Sequence, residues 1–126
     1  MSKHIKTGMA GEKLAESYLR NKGWDILATN WRSGRYEVDI IGCVDQILVI
    51  VEVKTRSSDH MVFPETAVDL KKQKMLLVAA AQYMHDANWE GECRFDVIAV
   101  ILDKNGNQRI MHFEDAFYPN PTDELS

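Results

Sequence analysis

No stretch of the sequence approaches the roughly 20 consecutive apolar residues that a membrane span needs, and the polar start MSKHIKTG lacks the apolar run of a secretory signal. Both absences point to a cytoplasmic protein with no membrane partner. Cysteine is scarce: Cys43 and Cys93 lie far apart and match no C-x-x-C spacing. In a reducing compartment that argues against a disulfide scaffold or a zinc knuckle, and for two thiols packed as small hydrophobes. Paired histidines are missing too. His4, His60, His85 and His112 are scattered singly, none at the i, i+4 spacing that sets two imidazoles on one metal. Nor is there an excess of positive charge: the net charge is −4, which weighs mildly against a nucleic-acid binder. The distribution offsets this. Glu114, Asp115, Asp123 and Glu124 lie near the end, with no Lys or Arg after Arg109, and without them the remaining 15 acids balance the 15 bases. The basic residues gather at Arg32 and Arg35, at Lys54 and Arg56, and at Lys71, Lys72 and Lys74, either a local basic rim or ordinary solvated charge. Repeats, linkers and any second domain are absent.

What is present is 126 residues with 45% hydrophobic content, enough for one core with both sheet and helix packing. A helix is expected from Thr7, where Ala10, Leu14, Ala15, Tyr18 and Leu19 recur at helical spacing, with Gly23 as its left-handed stop. Strands follow at Asp25 to Trp31, Tyr36 to Gly42 and Ile47 to Thr55, the last two forming a hairpin. The run ILVIVEV is apolar on both faces, as in a central strand covered by helices on both sides. Ala67 to Asp86 reads as a long helix, Arg94 to Leu102 as a fourth strand, and Ile110 to Phe113 as a fifth after the Asn105-Gly106 turn. The expected class is α/β in the order αβββαββ, one domain over residues 1–118 and a loose acidic tail over 119–126.

Strand alternation places Glu37 and Asp39 on one face of the second strand, and Glu52 and Lys54 on one face of the third. If Asp45-Gln46 is a two-residue turn, Val44 pairs with Ile47, and counting outward sets Asp39 opposite Glu52 and Glu37 opposite Lys54. Two opposed carboxylates destabilise a sheet unless a proton or a cation lies between them. Magnesium is the natural candidate, a hard ion that keeps several waters and needs only one or two carboxylates besides substrate phosphate. The plainer alternative is a structural ion network, with Lys54 neutralising Glu37 or Glu52. It accounts for Lys54 and Arg56 at the exit of an apolar strand, and less well for Glu52 between Val51 and Val53. Two further residues admit two readings each. Glu12, at the edge of the first helix's apolar stripe, is either a first-turn carboxylate favouring the helix dipole or an acid of the site. Gln73, central in the stripe of Leu76, Leu77, Ala80 and Met84, either satisfies a backbone group or turns toward the carboxylates.

Asp39, twelve intervening residues and Glu52-Val53-Lys54 have the form D-x(n)-E-x-K, which resembles the signature of the PD-(D/E)xK nucleases. The segments GEKLAESYLRNKGWDILATNWR, EVDIIG, LVIVEVKTR, ETAVDLKKQKML and RFDVIAV, in that order, resemble the YraN family across roughly residues 8 to 117. The resemblance implies a restriction-endonuclease-like three-layer fold, a mixed central sheet flanked by helices, similar to Holliday-junction resolvases. It implies a Mg2+- or Mn2+-dependent endonuclease hydrolysing phosphodiester bonds in nucleic acid, DNA ahead of RNA, with pairing into a homodimer as in resolvase-like enzymes. Carried over by position, Asp39 and Glu52 are the motif carboxylates and metal ligands, Glu12 the first-helix acid that joins them, and Lys54 the catalytic lysine. Gln73 stands in the family's Lys-Gln pair with Lys72. Glu37 is then a support for Lys54, and Arg56, Lys72 and Lys74 contact flanking phosphates. One departure is Tyr36, where the family usually has glycine before the acid of its G-E-I-D stretch; so bulky a residue is expected to narrow access. Two other functions fit the same residues: a nucleic-acid-binding module without catalysis, and a protein-interaction domain with a structural carboxylate cluster and apolar contacts near Trp89 or Phe117.

Overall fold

The computed structural model describes residues 3–57 and 68–117, with side chains from residue 10 onward in the first segment. The chain opens with α1 (Lys3–Asn21), whose buried positions Gly11, Ala15 and Leu19 recur every fourth residue and form one face. Gly23, at φ +91°, ends it as expected. Trp24 N–H donates to Leu19 O and Gly23 N–H to Arg20 O, closing a Schellman stop whose apolar pair, Trp24 and Leu19, lies in the core.

Three antiparallel strands follow, β1 (Asp25–Ser33), β2 (Tyr36–Val44) and β3 (Ile47–Ser57). The β2–β3 turn is the two-residue Asp45-Gln46 connection, with Val44 opposite Ile47 and both turn residues at positive φ, 51° and 65°. α2 (Leu70–Asp86) begins after Asp69, whose carboxylate accepts from Lys72 N–H at 2.8 Å as N-cap. This start is later than the expected Ala67, which lies outside the described residues, as does the tail 119–126. α2 returns the chain so that β4 (Glu92–Leu102) runs parallel to β3, and β5 (Gln108–Phe113) closes antiparallel on β4.

The sheet is mixed, in the order β1-β2-β3-β4-β5, with the apolar β3 at its centre. Ala15, Leu19 and Trp24 pack with Ile40, Val49, Val51, Ile98 and Val100 on one face; Leu76, Ala79 and Ala80 of α2 pack with Val38, Ile41, Leu48, Ile50 and Val97 on the other. This is the α/β architecture and αβββαββ order read from the sequence. Two glycines permit the close approaches on the α1 face. A Cβ on Gly11 would run into the Thr55 side chain, and one on Gly42 would lie 2.9 Å from the Trp24 ring. Among the described residues no helix is long and apolar enough to cross a membrane.

Candidate active site

Pairing between β2 and β3 runs from Val44–Ile47 to Ile40–Val51 and stops there. Beyond that point β2 stays with β1 as far as Ser33–Tyr36, while β3 stays with β4 as far as Ser57–Leu102. The sheet therefore forks, and Asp39 is the first residue past the split. Its Oδ2 accepts from Val53 N–H at 2.8 Å, replacing the strand bond that β2 no longer supplies. The alternation of side chains breaks at the same place. Val38 and Ile41 pack under α2 and Ile40 under α1, so Asp39 is directed across the fork toward β3 rather than squarely onto either face.

That placement brings three carboxylates together from three elements. Glu12 on α1 and Glu52 on β3 each lie within hydrogen-bonding reach of Asp39. Glu52 is only 5% exposed, with the Lys54 and Lys72 ammonium groups each 3.6 Å from its Oε2. Burial first, and then Asp39 as hydrogen-bond partner and like charge, push the Glu52 carboxyl up from 4.5 to about 7 despite both lysines. Glu12 is raised to about 7 as well, by burial, by Asp39 and by the Glu37 charge, with the Asn30 amide acting in the opposite sense. On the α1 side a cleft of about 120 Å³ is lined by Glu12, Lys13, Glu16, Thr29, Asn30, Asp39 and Ile40.

An all-oxygen donor set that retains protons near neutrality, because burial first and then neighbouring negative charge oppose its ionisation, suits a hard divalent cation, which would offset both. Among the described residues no group of three or more His, Cys, Asp and Glu is disposed to hold a metal ion by itself; the carboxylates run as a chain with Asp39 in the middle. Such an open arrangement fits magnesium or manganese, which leave part of their shell to water and substrate, better than it fits a structural zinc.

Several expected placements need correction. Glu37 does not meet Lys54, because the fork ends the register that would have paired them. Its carboxylate is 3.2 Å from Arg32 across the β1–β2 pair, while Lys54 turns to Glu52 two residues away. Gln73 serves the backbone: its Nε2 donates to Val68 O at 3.0 Å. Glu12 lies well inside α1, which has no acid in its first turn, so the dipole reading does not apply. Tyr36 packs against the core under α2 with Arg35 over its ring, and it does not line the cleft. Arg56, exposed, donates to Thr55 O at 2.9 Å, and Lys74 sits in the first turns of α2, one turn beyond Leu70; neither placement alters what was expected of it. The apolar contact surface expected near Trp89 and Phe117 is not free. Phe117 is buried against Phe95, and Trp89 packs on the core with its Nε1 donating to Glu92 O.

Two features escaped the sequence reading. Asn30, at φ +49° within β1, is one; asparagine is depleted in strands, and that was the available signal. The other is a buried network on β4, where Asp96 pairs with Val51, the neighbour of Glu52. Asp96, fully buried, accepts from Arg94 Nε and Nη2 at 2.9 Å each, from Asp115 N–H at 3.1 Å, and faces His112 Nε2 at 2.8 Å. Burial would raise its carboxyl, but these partners outweigh it and hold it below the usual range. Cys93 stays a thiol, pushed up to about 11 by burial.

Residues 11–100 match the model of the Uncharacterised protein family UPF0102. The chain belongs to UPF0102, the YraN family. Relatives in UPF0102 include a protein of Bacteroides thetaiotaomicron, 47% identical over 119 residues that span 94% of this chain and 98% of that one. A Porphyromonas gingivalis member is 42% identical over 93% of this chain and 87% of its own, and a Flavobacterium psychrophilum member is 43% identical over 94% and 98%. The UPF0102 match begins one residue before Glu12 and takes in Asp39, Glu52, Lys54 and Asp96.

Proposed function

We propose that this UPF0102 protein is a divalent-metal-dependent endonuclease that hydrolyses phosphodiester bonds in nucleic acid, DNA ahead of RNA. The observation that carries this reading is the convergence of Glu12, Asp39 and Glu52 at the fork, with both glutamates raised to about 7. Asp39 and Glu52, joined by Glu12, would hold magnesium or manganese. Such an ion would supply positive charge against the negative charge developing on a phosphoryl group and would acidify water.

The other roles belong to the chain's own groups. Val53 N–H fixes the Asp39 carboxylate at the split. Lys54, tethered to Glu52 at 3.6 Å with a quarter of its side chain exposed, can position water or stabilise phosphoryl oxygens. Lys72 reaches the same carboxylate from α2 and, with Arg56 and Lys74, can meet the flanking backbone without reading bases. Arg32 is engaged with Glu37 and stands outside this group.

One observation favours a second reading. Glu52 already has two ammonium partners, which is what a purely structural ion network would also contain. Purified protein incubated with branched DNA, single-stranded DNA and structured RNA in magnesium or manganese separates the two. Cleavage that disappears in Asp39→Ala and in Glu52→Ala supports the nuclease. Salt-sensitive binding without cleavage supports a binding module, and neither cleavage nor binding supports the structural network.

A further inference from the structure

Asn30 does not belong to the D-x(n)-E-x-K pattern, yet it occupies an unusual position beside it. Within β1, Ala28 and Trp31 pack on the α2 side while Thr29 lines the cleft on the α1 side. Strict alternation would set residues 29 and 31 on one face. The exception arises at Asn30, whose backbone is left-handed at φ +49°, a conformation that asparagine tolerates better than most residues. Pairing with β2 steps from Thr29–Ile40 to Trp31–Val38, skipping Asn30 and Asp39. The two residues that break alternation are therefore cross-strand neighbours, and both face Glu12 in the same cleft. The Asn30 side-chain amide interacts with the Glu12 carboxylate and favours its charged form, against burial and the Asp39 and Glu37 charges. Left-handed non-glycine backbone inside a strand is strain of the kind that collects at functional sites, and here it sets a neutral donor beside the carboxylates of Glu12 and Asp39 in the cleft.

We infer that Asn30 is a positioning residue of the carboxylate site, holding Glu12 in place for a divalent cation by its amide and by the left-handed turn that points the amide into the cleft. This rests on the metal-site reading above. Asn30→Gly is the suitable probe, because glycine accommodates the left-handed backbone while removing the side-chain amide. Manganese affinity is measured by titration for the wild type, Asn30→Gly, Glu12→Ala and the double variant, with Asp39→Ala as reference. Losing the partner that orients a ligand typically weakens metal binding 10–100-fold, and an exposed partner belongs at the lower end. Asn30→Gly should therefore weaken manganese about 10-fold in the wild-type background and have no further effect once Glu12 is alanine. Wild-type affinity in Asn30→Gly, or an equal loss with and without Glu12, would overturn the inference while leaving the metal site standing through Asp39→Ala. A wild-type protein that binds no manganese would overturn both.

Discussion

At the scale of single residues, Asp39 does two things that can be separated. Its carboxylate satisfies Val53 N–H at the fork, and its charge crowds Glu12 and Glu52. Alanine removes both, leaving a partly buried amide without its partner, which costs about 1–3 kcal/mol against whatever the lost repulsion returns. Asparagine keeps an oxygen for Val53 and removes the charge. Metal-free Asp39→Asn should thus be at least as stable as wild type in urea melts, and Asp39→Ala less stable than Asp39→Asn; equal destabilisation of the two would show that the crowding contributes nothing. The meeting of Asp39 with Glu52 was legible in the sequence, because a two-residue turn fixes register out to Ile40–Val51. The partner of Glu37 was not, since counting outward assumes that the ladder continues, and nothing in EVDII announces where it splits. Asn30 was hidden for a different reason: only backbone geometry reveals a left-handed residue within a strand.

At the scale of elements, the site depends on how closely α1 lies against β3. Gly11, adjacent to Glu12, faces Thr55 with no room for a Cβ. Gly11→Ala should force α1 outward, destabilise by about 1–3 kcal/mol as overpacking does, and lower the proposed nuclease activity by drawing Glu12 from Asp39. Pairing it with Thr55→Ala should recover much of both losses, and simple additivity in that cycle would show that the contact is not the cause. A second buried acid, Asp96 on β4 beside Val51, has partners of its own and provides a contrast. Asp96 ties β4 to β5 through His112 and to the segment after β5 through Asp115. Asp96→Ala should cost about 3–5 kcal/mol by leaving Arg94 without its buried partner, yet leave divalent-metal affinity unchanged in the fraction that remains folded. The elements themselves were readable. The ILVIVEV run announced a central strand, Gly23 a helix stop and Asp45-Gln46 a tight turn, and each took its place through local chemistry that tertiary packing did not override.

At the scale of the whole molecule, the crowded carboxylates should set how stability depends on pH. Both glutamates keep a proton in the folded state to about pH 7, against an ordinary 4.5 in the unfolded chain. Between those values the folded protein binds more protons than the unfolded one, so the stability of the metal-free protein falls as pH rises from about 4.5 to about 7 and then levels off. Glu52 carries most of the effect, because solvent screens Glu12. Asp96 works the other way, but its depressed carboxyl withdraws stability only at pH below the ordinary carboxylate range, outside this window. Melting temperatures without metal should accordingly decline across that range, and Glu52→Gln should flatten most of the decline; a flat wild-type profile would contradict the raised carboxyls that burial and crowding produce.

The most direct measurement is calorimetric titration of manganese into the wild-type protein at pH 7.5, beside Asp39→Ala and Glu52→Ala. Saturable binding by the wild type, lost in both variants and accompanied by proton release as the raised carboxyls give way to the cation, is the predicted result. No binding by the wild type, or binding that survives both substitutions, would contradict a metal site at the fork.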